Sequence, residues 1–302
     1  MTICDWEMNV NFDYGNILTR AFKLTWKHKS YWLFMTFPIL TGSVIFLAFI
    51  APVFFLEGNE DWMGLIIALW LGVIGLGMIV SLIVSTAGMT SLTLGILRAE
   101  RGEGSTSFMD LVRDGFQYFA RSFGVMLIVQ LTVGAVFTAF FLCVMALTVV
   151  TMGLASICLQ PVMLLLTPLS FLVAAVMNGG IVSVIEEDLD ALDAVKRALQ
   201  VVREHVWKFV IITLIVYFGA SFLSGIFLAP AMIPAMFAPV AMEMGEQAFW
   251  AAMGSFVCLF FPAMGIYSGI IGAFTTSAID IAYLQLSRPV EKQIIAAEDI
   301  TA

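Results

Sequence analysis

DALDAVKRALQVVREHVWKF, residues Asp190–Phe209, is the stretch that decides the fold of this chain. Its apolar residues recur at alternating steps of three and four, the spacing of one stripe along an α-helix: Leu192, Val195, Leu199, Val202, Val206 and Phe209. Charged residues fill the opposite face, where Asp193 and Arg197 form an i,i+4 pair in the favourable order. The helix runs without a breaker into FVIITLIVYFGASFL, residues 209–223. The pattern therefore predicts an amphipathic helix that leads directly into a membrane-spanning helix.

The composition of the whole chain agrees with this local pattern. Of the 302 residues, 61% are hydrophobic and only 12% are charged, and the mean hydropathy is +1.00. A soluble globular domain carries roughly a quarter charged residues. With half that charge the chain cannot cover a surface that faces water, so it must use lipid as much of its solvent. We therefore predict an all-α, polytopic integral membrane protein with a single membrane domain over residues 1–302.

Six apolar runs are long enough to span a bilayer, which requires about 20 helical residues: Tyr31–Leu56, Trp62–Leu97, Phe123–Val150, Ala155–Ile185, Val206–Leu228 and Ala248–Leu286. The second run is predicted to be one long helix, because no polar turn divides it. Three prolines in residues 229–247 predict that this segment is not helical, and Pro262 predicts an interruption of the sixth span. Gly265 and Gly269 form a GxxxG, which predicts close approach of another helix.

Two weaker copies of the amphipathic pattern occur upstream. Three dipeptides align the copies, at spacings of 94 and 83 residues: Ala21-Phe22, Gly115-Phe116 and Ala198-Leu199. Each copy is followed by two spans, so we predict a threefold repeat with units at residues 15–98, 105–187 and 189–288. The alternative is that any multi-pass protein carries interfacial helices on its cytoplasmic side.

The distribution of charge predicts the orientation of the chain. On the six-span arrangement all fourteen Lys and Arg residues fall on one side, and the other side has only acidic residues: Glu57, Glu60, Asp61, Glu243 and Glu246. The positive-inside rule then places both termini and all three amphipathic helices in the cytoplasm. We accordingly predict a multi-pass protein of the plasma (cytoplasmic) membrane.

Motifs for catalysis or for cofactor binding are absent from the sequence. A net charge of −8 argues against nucleic-acid binding, and the four cysteines show no CxxC spacing for zinc. No Walker A, GxSxG or HExxH motif occurs, which favours a non-enzymatic protein without a metal or cofactor. The acidic residues between Glu186 and Asp193 offer oxygens to a divalent cation, but N-terminal helix charges are the favoured interpretation.

A few polar residues lie within the apolar runs. Asp280 is an acid inside the sixth span, where a functional role competes with simple exposure at the interface. The Asn178-Gly179-Gly180 sequence favours either a cavity or a notch for helix packing. The candidate residues for a cavity are Asn178, Asp280, Gln130 and Gln160. The two histidines, His28 and His205, are interpreted as interfacial polar residues in preference to a proton-linked switch.

Two segments carry a family resemblance: GNILTRAFKLTWKHKSYWLF, residues 15–34, and VSVIEEDLDALDAVKRALQVVREHVWKF, residues 182–209. With the polytopic frame between them, they resemble multi-pass proteins related to the membrane domain of glycerophosphoryl diester phosphodiesterase. The resemblance covers most of the chain and implies a membrane module. In fused members of that superfamily the phosphodiesterase chemistry resides in a separate soluble barrel, which we expect this chain to lack. The resemblance therefore implies no catalytic residue at any position here.

The leading functional hypothesis is a membrane module that organises lipid or a partner protein at the cytoplasmic leaflet. Four basic residues of the amphipathic helices are the candidates for contact with anionic headgroups: Lys23, Lys27, Arg197 and Arg203. Membrane lipids are the expected partners, with a partner protein or a second copy of the chain as further candidates. The alternative is a transporter of an apolar or lipid-like substrate, because transporters combine repeats with broken helices.

Overall fold

The computed structural model describes the backbone of residues 12–55, 63–103, 107–151 and 154–287, with the side chains of 46–55, 63, 65–66 and 154–166 left out. All regular secondary structure in these ranges is helical, which confirms the predicted all-α class. The helices are α1 (Tyr14–Lys27), α2 (Ser30–Phe55), α3 (Met63–Glu100), α4 (Phe108–Val150), α5 (Leu154–Glu186), α6 (Ala191–Glu204), α7 (Val206–Met236), α8 (Ala238–Met244) and α9 (Glu246–Ser287).

Within the described residues, five helical stretches are long and apolar enough to cross a membrane: Ile67–Glu100, Phe108–Val150, Thr167–Glu186, Val206–Met244 and Glu246–Ser287. The protein is therefore polytopic, as predicted. The count differs from the predicted six, because the first predicted span lies on α2. α2 has 26 residues, but its side chains are described only as far as Ile45, and the apolar stretch Ser30–Ile45 is shorter than a counted span.

Two long helices continue beyond the thickness of a bilayer. The predicted single helix over Trp62–Leu97 is confirmed as α3, which has 38 residues. At about 1.5 Å per residue, α3 is about 57 Å long, nearly twice a hydrocarbon core of about 30 Å. The second amphipathic copy and its span form one uninterrupted helix, α4, with 43 residues.

The prediction that prolines interrupt the helices in the last third of the chain is wrong. Pro230 and Pro234 lie inside α7, residues 238–244 form α8, and α9 continues through Pro262. A proline in a helix removes one backbone hydrogen bond and crowds the preceding turn. Helices in lipid tolerate this because neighbouring groups and small local adjustments satisfy the freed backbone. An extended apolar segment would instead leave nearly every peptide group without a hydrogen bond.

The described helices group into two compact units. Unit 1 comprises Met1–Lys27, Gly124–Leu214 and Thr275–Ala302, and unit 2 comprises His28–Phe123 and Ile215–Phe274. Each unit is assembled from distant parts of the sequence, so tertiary packing and not chain order defines it. The threefold repeat and the single domain over residues 1–302 stay predictions.

In unit 2, α9 packs closely on α2 through its glycines. A Cβ added at Gly265 would lie 3.2 Å from Cδ2 of Leu40, and one at Gly269 would lie 2.8 Å from the carbonyl oxygen of Trp32. The Thr36 hydroxyl also lies 3.2 Å from the Gly265 carbonyl oxygen, which it reaches as a donor. The GxxxG of α9 thus makes the predicted close approach, and α2 is its partner.

In unit 1, glycines of α4 and α5 bring four helices into contact. A Cβ at Gly124 would lie 2.8 Å from Cβ of Ala191, the first residue of α6. A Cβ at Gly179 would lie 2.5 Å from the ring of Tyr283 on α9. Side chains cannot be added at these positions without displacing a neighbour, so unit 1 is closely packed here.

Candidate functional site

The three amphipathic segments share one pattern of burial. Each aligned dipeptide begins with a small residue that is buried. The residue four positions before it is buried as well, which gives three pairs: Ile17 and Ala21, Leu111 and Gly115, Ala194 and Ala198. A spacing of four places both residues on one face of a helix. We call this face the buried stripe. It attaches each segment to the rest of its unit.

A second face of each segment is exposed at the same aligned positions. We call it the exposed stripe, and its residues are Gly15, Thr19, Phe22 and Trp26; Met109, Arg113, Phe116 and Ala120; Leu192, Lys196, Leu199 and Arg203. The bulky residue that follows the buried small residue is well exposed every time. The exposed fraction is 56% for Phe22, 71% for Phe116 and 54% for Leu199.

The exposed stripe combines apolar and basic side chains, most clearly on α6. There Leu192, Lys196, Leu199 and Arg203 follow one another along a single face. Exposing such apolar side chains to water costs about 1.5–3 kcal/mol per fully exposed residue. A membrane interface removes that cost, because it accepts apolar side chains between lipid tails and basic groups beside anionic headgroups.

Local interactions fix the beginning and the surface of α1. The Asp13 carboxylate accepts hydrogen bonds from the backbone N–H groups of Gly15 at 2.9 Å and Asn16 at 3.1 Å, which caps the helix. The Phe22 and Trp26 rings stack with their centroids 5.7 Å apart. Partial burial raises the pKa of the Tyr14 hydroxyl.

The charges of α6 pair differently from the sequence prediction. Asp193 contacts Lys196 at 3.0 Å, so the predicted Asp193–Arg197 pair is wrong. Arg197 instead lies 3.4 Å from a carboxylate oxygen of Glu187 and 3.4 Å from the Ser287 carbonyl oxygen. The long arginine side chain turns toward the protein because two acceptors from other parts of unit 1 are available there.

These contacts divide the four basic candidates. Lys23, Lys27 and Arg203 are exposed, and all three lie beside or on an exposed stripe. Arg197 is only partly exposed and is engaged within unit 1. Three of the four predicted residues are therefore exposed, and Arg197 makes contacts within unit 1 instead.

The two histidines mark the ends of α1 and α6. His205 separates α6 from α7, and its Nδ1 atom lies 3.2 Å from the Val201 carbonyl oxygen. His28 follows α1 and stacks on Tyr31 with centroids 5.2 Å apart. Both positions suit the role of interfacial polar residue, because each ring packs at a helix end.

The candidate cavity residues whose side chains are described lie in different environments. Asn178 and Asp280 are both buried within unit 1, at 4% and 0% exposure. Gln130 is exposed on α4, and the side chain of Gln160 lies outside the described residues. Sequence reasoning missed Thr213, whose side chain is 6% exposed on α7. A lone threonine in an apolar run gives no signal, since its hydroxyl normally bonds to its own helix.

Metal-binding clusters are absent from the described part of the chain. No group of three or more His, Cys, Asp or Glu residues there is arranged to hold a metal ion. Cys143 and Cys258 are exposed on α4 and α9.

Among family models, curated proteins and solved structures, none matches this chain.

Proposed function

We propose that this protein is a non-enzymatic membrane module that holds anionic lipid at the cytoplasmic leaflet through its amphipathic segments. The observation that carries the proposal is the exposed stripe. All three segments expose a bulky apolar residue directly after a buried small residue. On α1 and α6, exposed lysine or arginine accompanies it.

Exposed basic and aromatic side chains support lipid as the ligand. Phe22 and Trp26 are exposed together on α1, with Lys23 and Lys27 next to them in the chain. Aromatic rings favour the headgroup level, and each basic residue near an anionic leaflet contributes about 1 kcal/mol. A surface that faced only water would carry the charges without the exposed apolar residues.

The close packing of unit 1 favours a surface that binds lipid over a pathway that transports it. α5 approaches α9 so closely at Gly179 and Tyr283 that no room is left between these helices at that level. A transporter of an apolar substrate would need an open path along its helices. Within the described residues of unit 1, the contacts at Gly180 and Val125 are equally tight.

The membrane and the orientation are part of the proposal. All lysines and arginines of the sequence fall on the side that carries the amphipathic segments in the six-span arrangement, and the positive-inside rule assigns that side to the cytoplasm. We propose the plasma (cytoplasmic) membrane as the location. The resemblance to the membrane domain of glycerophosphoryl diester phosphodiesterases would suit a module of this kind.

The test is the retention of anionic lipid by the purified full-length protein. The triple variant Lys23→Glu, Lys27→Glu, Arg203→Glu reverses the charge of three exposed basic residues and leaves Arg197 in its contacts within unit 1. We expect this variant to lose most of the phosphatidylglycerol that co-purifies with the wild type, as measured by mass spectrometry of extracted lipid. Phosphatidylethanolamine should be retained equally, because it carries no net charge.

The matched control keeps the charges and changes the residues: Lys23→Arg, Lys27→Arg, Arg203→Lys. It should retain anionic lipid like the wild type. A second variant, Phe22→Ser with Leu199→Ser, removes apolar contacts and should weaken retention of both lipids. If all these folded proteins retained the same lipids as the wild type, the proposal would be wrong.

A further inference from the structure

α2 and α3 pack as an antiparallel pair in unit 2, and two contacts fix their register. A Cβ added at Gly88 would lie 2.5 Å from the Phe34 carbonyl oxygen, and one at Gly77 would lie 2.8 Å from Cγ1 of Ile45. Eleven residues separate Phe34 from Ile45 on α2, and eleven separate Gly77 from Gly88 on α3. The two helices therefore stay close and in step between these contacts.

A groove of about 460 Å³ runs along this helix pair. Gly77 and Ile45 meet at its floor, because Gly77 has no side chain to hold the helices apart. The walls are exposed apolar side chains, with exposed fractions of 51% for Phe37, 66% for Val44 and 65% for Leu76. The groove is thus closed by a floor and two walls and opens to the surroundings of the protein along its length.

The groove lies in a part of the chain that carries no charge. α3 belongs to the stretch Ile67–Glu100, which is long and apolar enough to cross a membrane, and Ser30–Ile45 of α2 is apolar as well. The sequence has no Asp, Glu, Lys or Arg in residues 30–45 or 67–97. Phe37 lies seven residues, or about 10 Å, from the first residue of α2. In a hydrocarbon core of about 30 Å, this is the depth of the acyl chains.

The dimensions of the groove select its occupant. It extends over eight residues of α2 from Phe37 to Ile45 and a further four residues of α3 from Gly77 to Val73, which is about 18 Å in all. Its volume then corresponds to a mean width of about 5 Å. Carbon atoms in contact lie about 4 Å apart, so this width accepts a single hydrocarbon chain. A helix of another chain, at about 10 Å across, is too broad to enter.

The chemistry of the lining agrees with an apolar chain. Among the described residues that line the groove, Thr41 has the one polar side chain, and its hydroxyl donates to the Phe37 carbonyl oxygen at 2.9 Å. A polar ligand would find no free partner there and would lose its own hydrogen bonds. Within lipid, association depends on packing contacts. The floor and walls contact a chain from three sides, whereas a convex helix surface contacts it from one.

We propose that the groove between α2 and α3 is a specific binding site for one acyl chain of a membrane lipid. The chain lies on the floor at Gly77, between Phe37 and Val44 on one side and Val73 and Leu76 on the other. The site recognises the chain and not the headgroup. It therefore goes beyond the proposed binding of anionic lipid at the exposed stripes, and it binds a lipid without net charge equally well.

The test is photolabelling of the full-length protein in phosphatidylcholine nanodiscs. The nanodiscs contain a rising mole fraction of a phosphatidylcholine with a diazirine in the middle of one acyl chain, and mass spectrometry locates the labelled residues. A specific site saturates, whereas labelling by freely exchanging lipid rises in proportion to the mole fraction. We expect saturation at Val44 and Leu76 and a proportional rise at Ile79, which is 58% exposed on α3 outside the groove.

Variants fill or open the groove. Leu76→Trp places a larger side chain in it and should remove the saturable labelling at Val44. Ile79→Trp is the matched control, because it puts the same side chain at a similarly exposed position of the same helix, and it should leave that labelling unchanged. Phe37→Ala removes part of a wall without adding bulk. It should raise the half-saturating mole fraction about fivefold, and it keeps the test decisive if the tryptophan variant fails to fold.

Three results would overturn the proposal. Labelling of the groove that rises in proportion to the mole fraction would show ordinary lipid contact. Groove residues that stay unlabelled while Ile79 is labelled would show that another protein chain covers them. Saturation that Phe37→Ala and Leu76→Trp leave unchanged in folded proteins would place the bound chain elsewhere. Saturation that both variants weaken and Ile79→Trp preserves supports the site.

This outcome is separate from the test of anionic-lipid retention. Phosphatidylcholine carries no net charge, so reversing the charge of Lys23, Lys27 and Arg203 should leave the saturable labelling of the groove intact. A protein that retains no anionic lipid would contradict the proposed function alone, and labelling without saturation would contradict the acyl-chain site alone.

Discussion

α6 and the first turns of α4 carry the same buried and exposed stripes but join their spans differently. α6 ends at Glu204, and His205 leaves helical geometry with φ −125° and ψ 32° before α7 begins. Ser122 occupies the equivalent position in the second copy, 83 residues earlier, and lies inside the unbroken helix α4. The sequence patterns are alike, yet one segment is a separate helix and the other is not.

The difference decides how each stripe can meet lipid. A separate helix has its own axis and can lie along the leaflet, which is the arrangement typical of interfacial helices. The stripe of residues 109–120 must follow the direction of α4, because the helix continues to Val150 without a break. α1 resembles α6 in this respect, since it ends at Lys27 and α2 begins at Ser30.

The two segments are also attached by different ion pairs. In unit 2, Arg98 at the end of α3 lies 2.8 Å from the Asp114 carboxylate of α4, and both side chains are less than one-third exposed. The Lys196–Asp193 pair lies within α6, and both partners are largely exposed. The Arg98–Asp114 pair thus joins the second segment to a neighbouring helix. The Lys196–Asp193 pair joins two residues of the same helix.

The largest expected effect comes from breaking α4 at the position that corresponds to His205. Ser122→Pro removes a backbone hydrogen bond and introduces a clash in the preceding turn, and should reduce the free energy of unfolding by about 3 kcal/mol or more. Ser122→Ala is the control and should be neutral or slightly stabilising, because Ser122 Oγ is buried without a partner among the described residues. Unfolding in mixed micelles measures both. A proline variant as stable as wild type would show that α4 tolerates the break.

An intermediate effect should come from enlarging the buried stripe. Ala198 is fully buried, so Ala198→Leu should destabilise the protein by about 1–3 kcal/mol through overpacking. Gly115→Leu should cost at least as much, because a Cβ there would already lie 2.7 Å from Ser91 Oγ. The neighbouring exposed residue gives the control, and Leu199→Ala should change stability by less than about 0.5 kcal/mol. Equal effects at residues 198 and 199 would contradict the division into two stripes.

The smallest effect distinguishes the ion pairs. Arg98→Met leaves a partly buried carboxylate without its partner and should cost about 1–2 kcal/mol, less than a fully buried pair would. Lys196→Met removes an exposed pair and should cost less than about 0.5 kcal/mol. A double-mutant cycle with Asp114→Asn isolates the Arg98 interaction in the measured unfolding free energies. A coupling energy near zero would remove the charged attachment from the comparison.

Periodicity predicted the helices well because it is a local property. The stripe in residues 190–209 depends on spacing within a few turns, and residues 191–209 are helical apart from His205. The predicted unbroken passage into the span is wrong, because His205 leaves helical geometry between α6 and α7. The uninterrupted length of α3 followed from the absence of a polar turn. The close approach at Gly265 and Gly269 was also predicted, but the sequence could not name α2 as the partner helix.

Predictions failed where a neighbour or the solvent overrides a local rule. Pro230, Pro234 and Pro262 stay within helices, since lipid penalises an open backbone more than a missing hydrogen bond. Arg197 leaves Asp193 for Glu187 and the Ser287 carbonyl oxygen, which come from other elements of unit 1. An i,i+4 spacing gives only a few tenths of a kcal/mol, so better acceptors elsewhere prevail.

The sequence by itself determined the class of this protein, because composition fixes the solvent and residue spacing fixes the faces of each helix. It also predicted that the basic residues lie on one side of the membrane. Only the tertiary structure decided that Lys23, Lys27 and Arg203 are exposed while Arg197 is engaged, and that Asn178, Thr213 and Asp280 are each buried in unit 1. The physical reason is that register between helices depends on contacts such as Gly179 with Tyr283, which join residues about one hundred positions apart and leave no periodic trace in the chain.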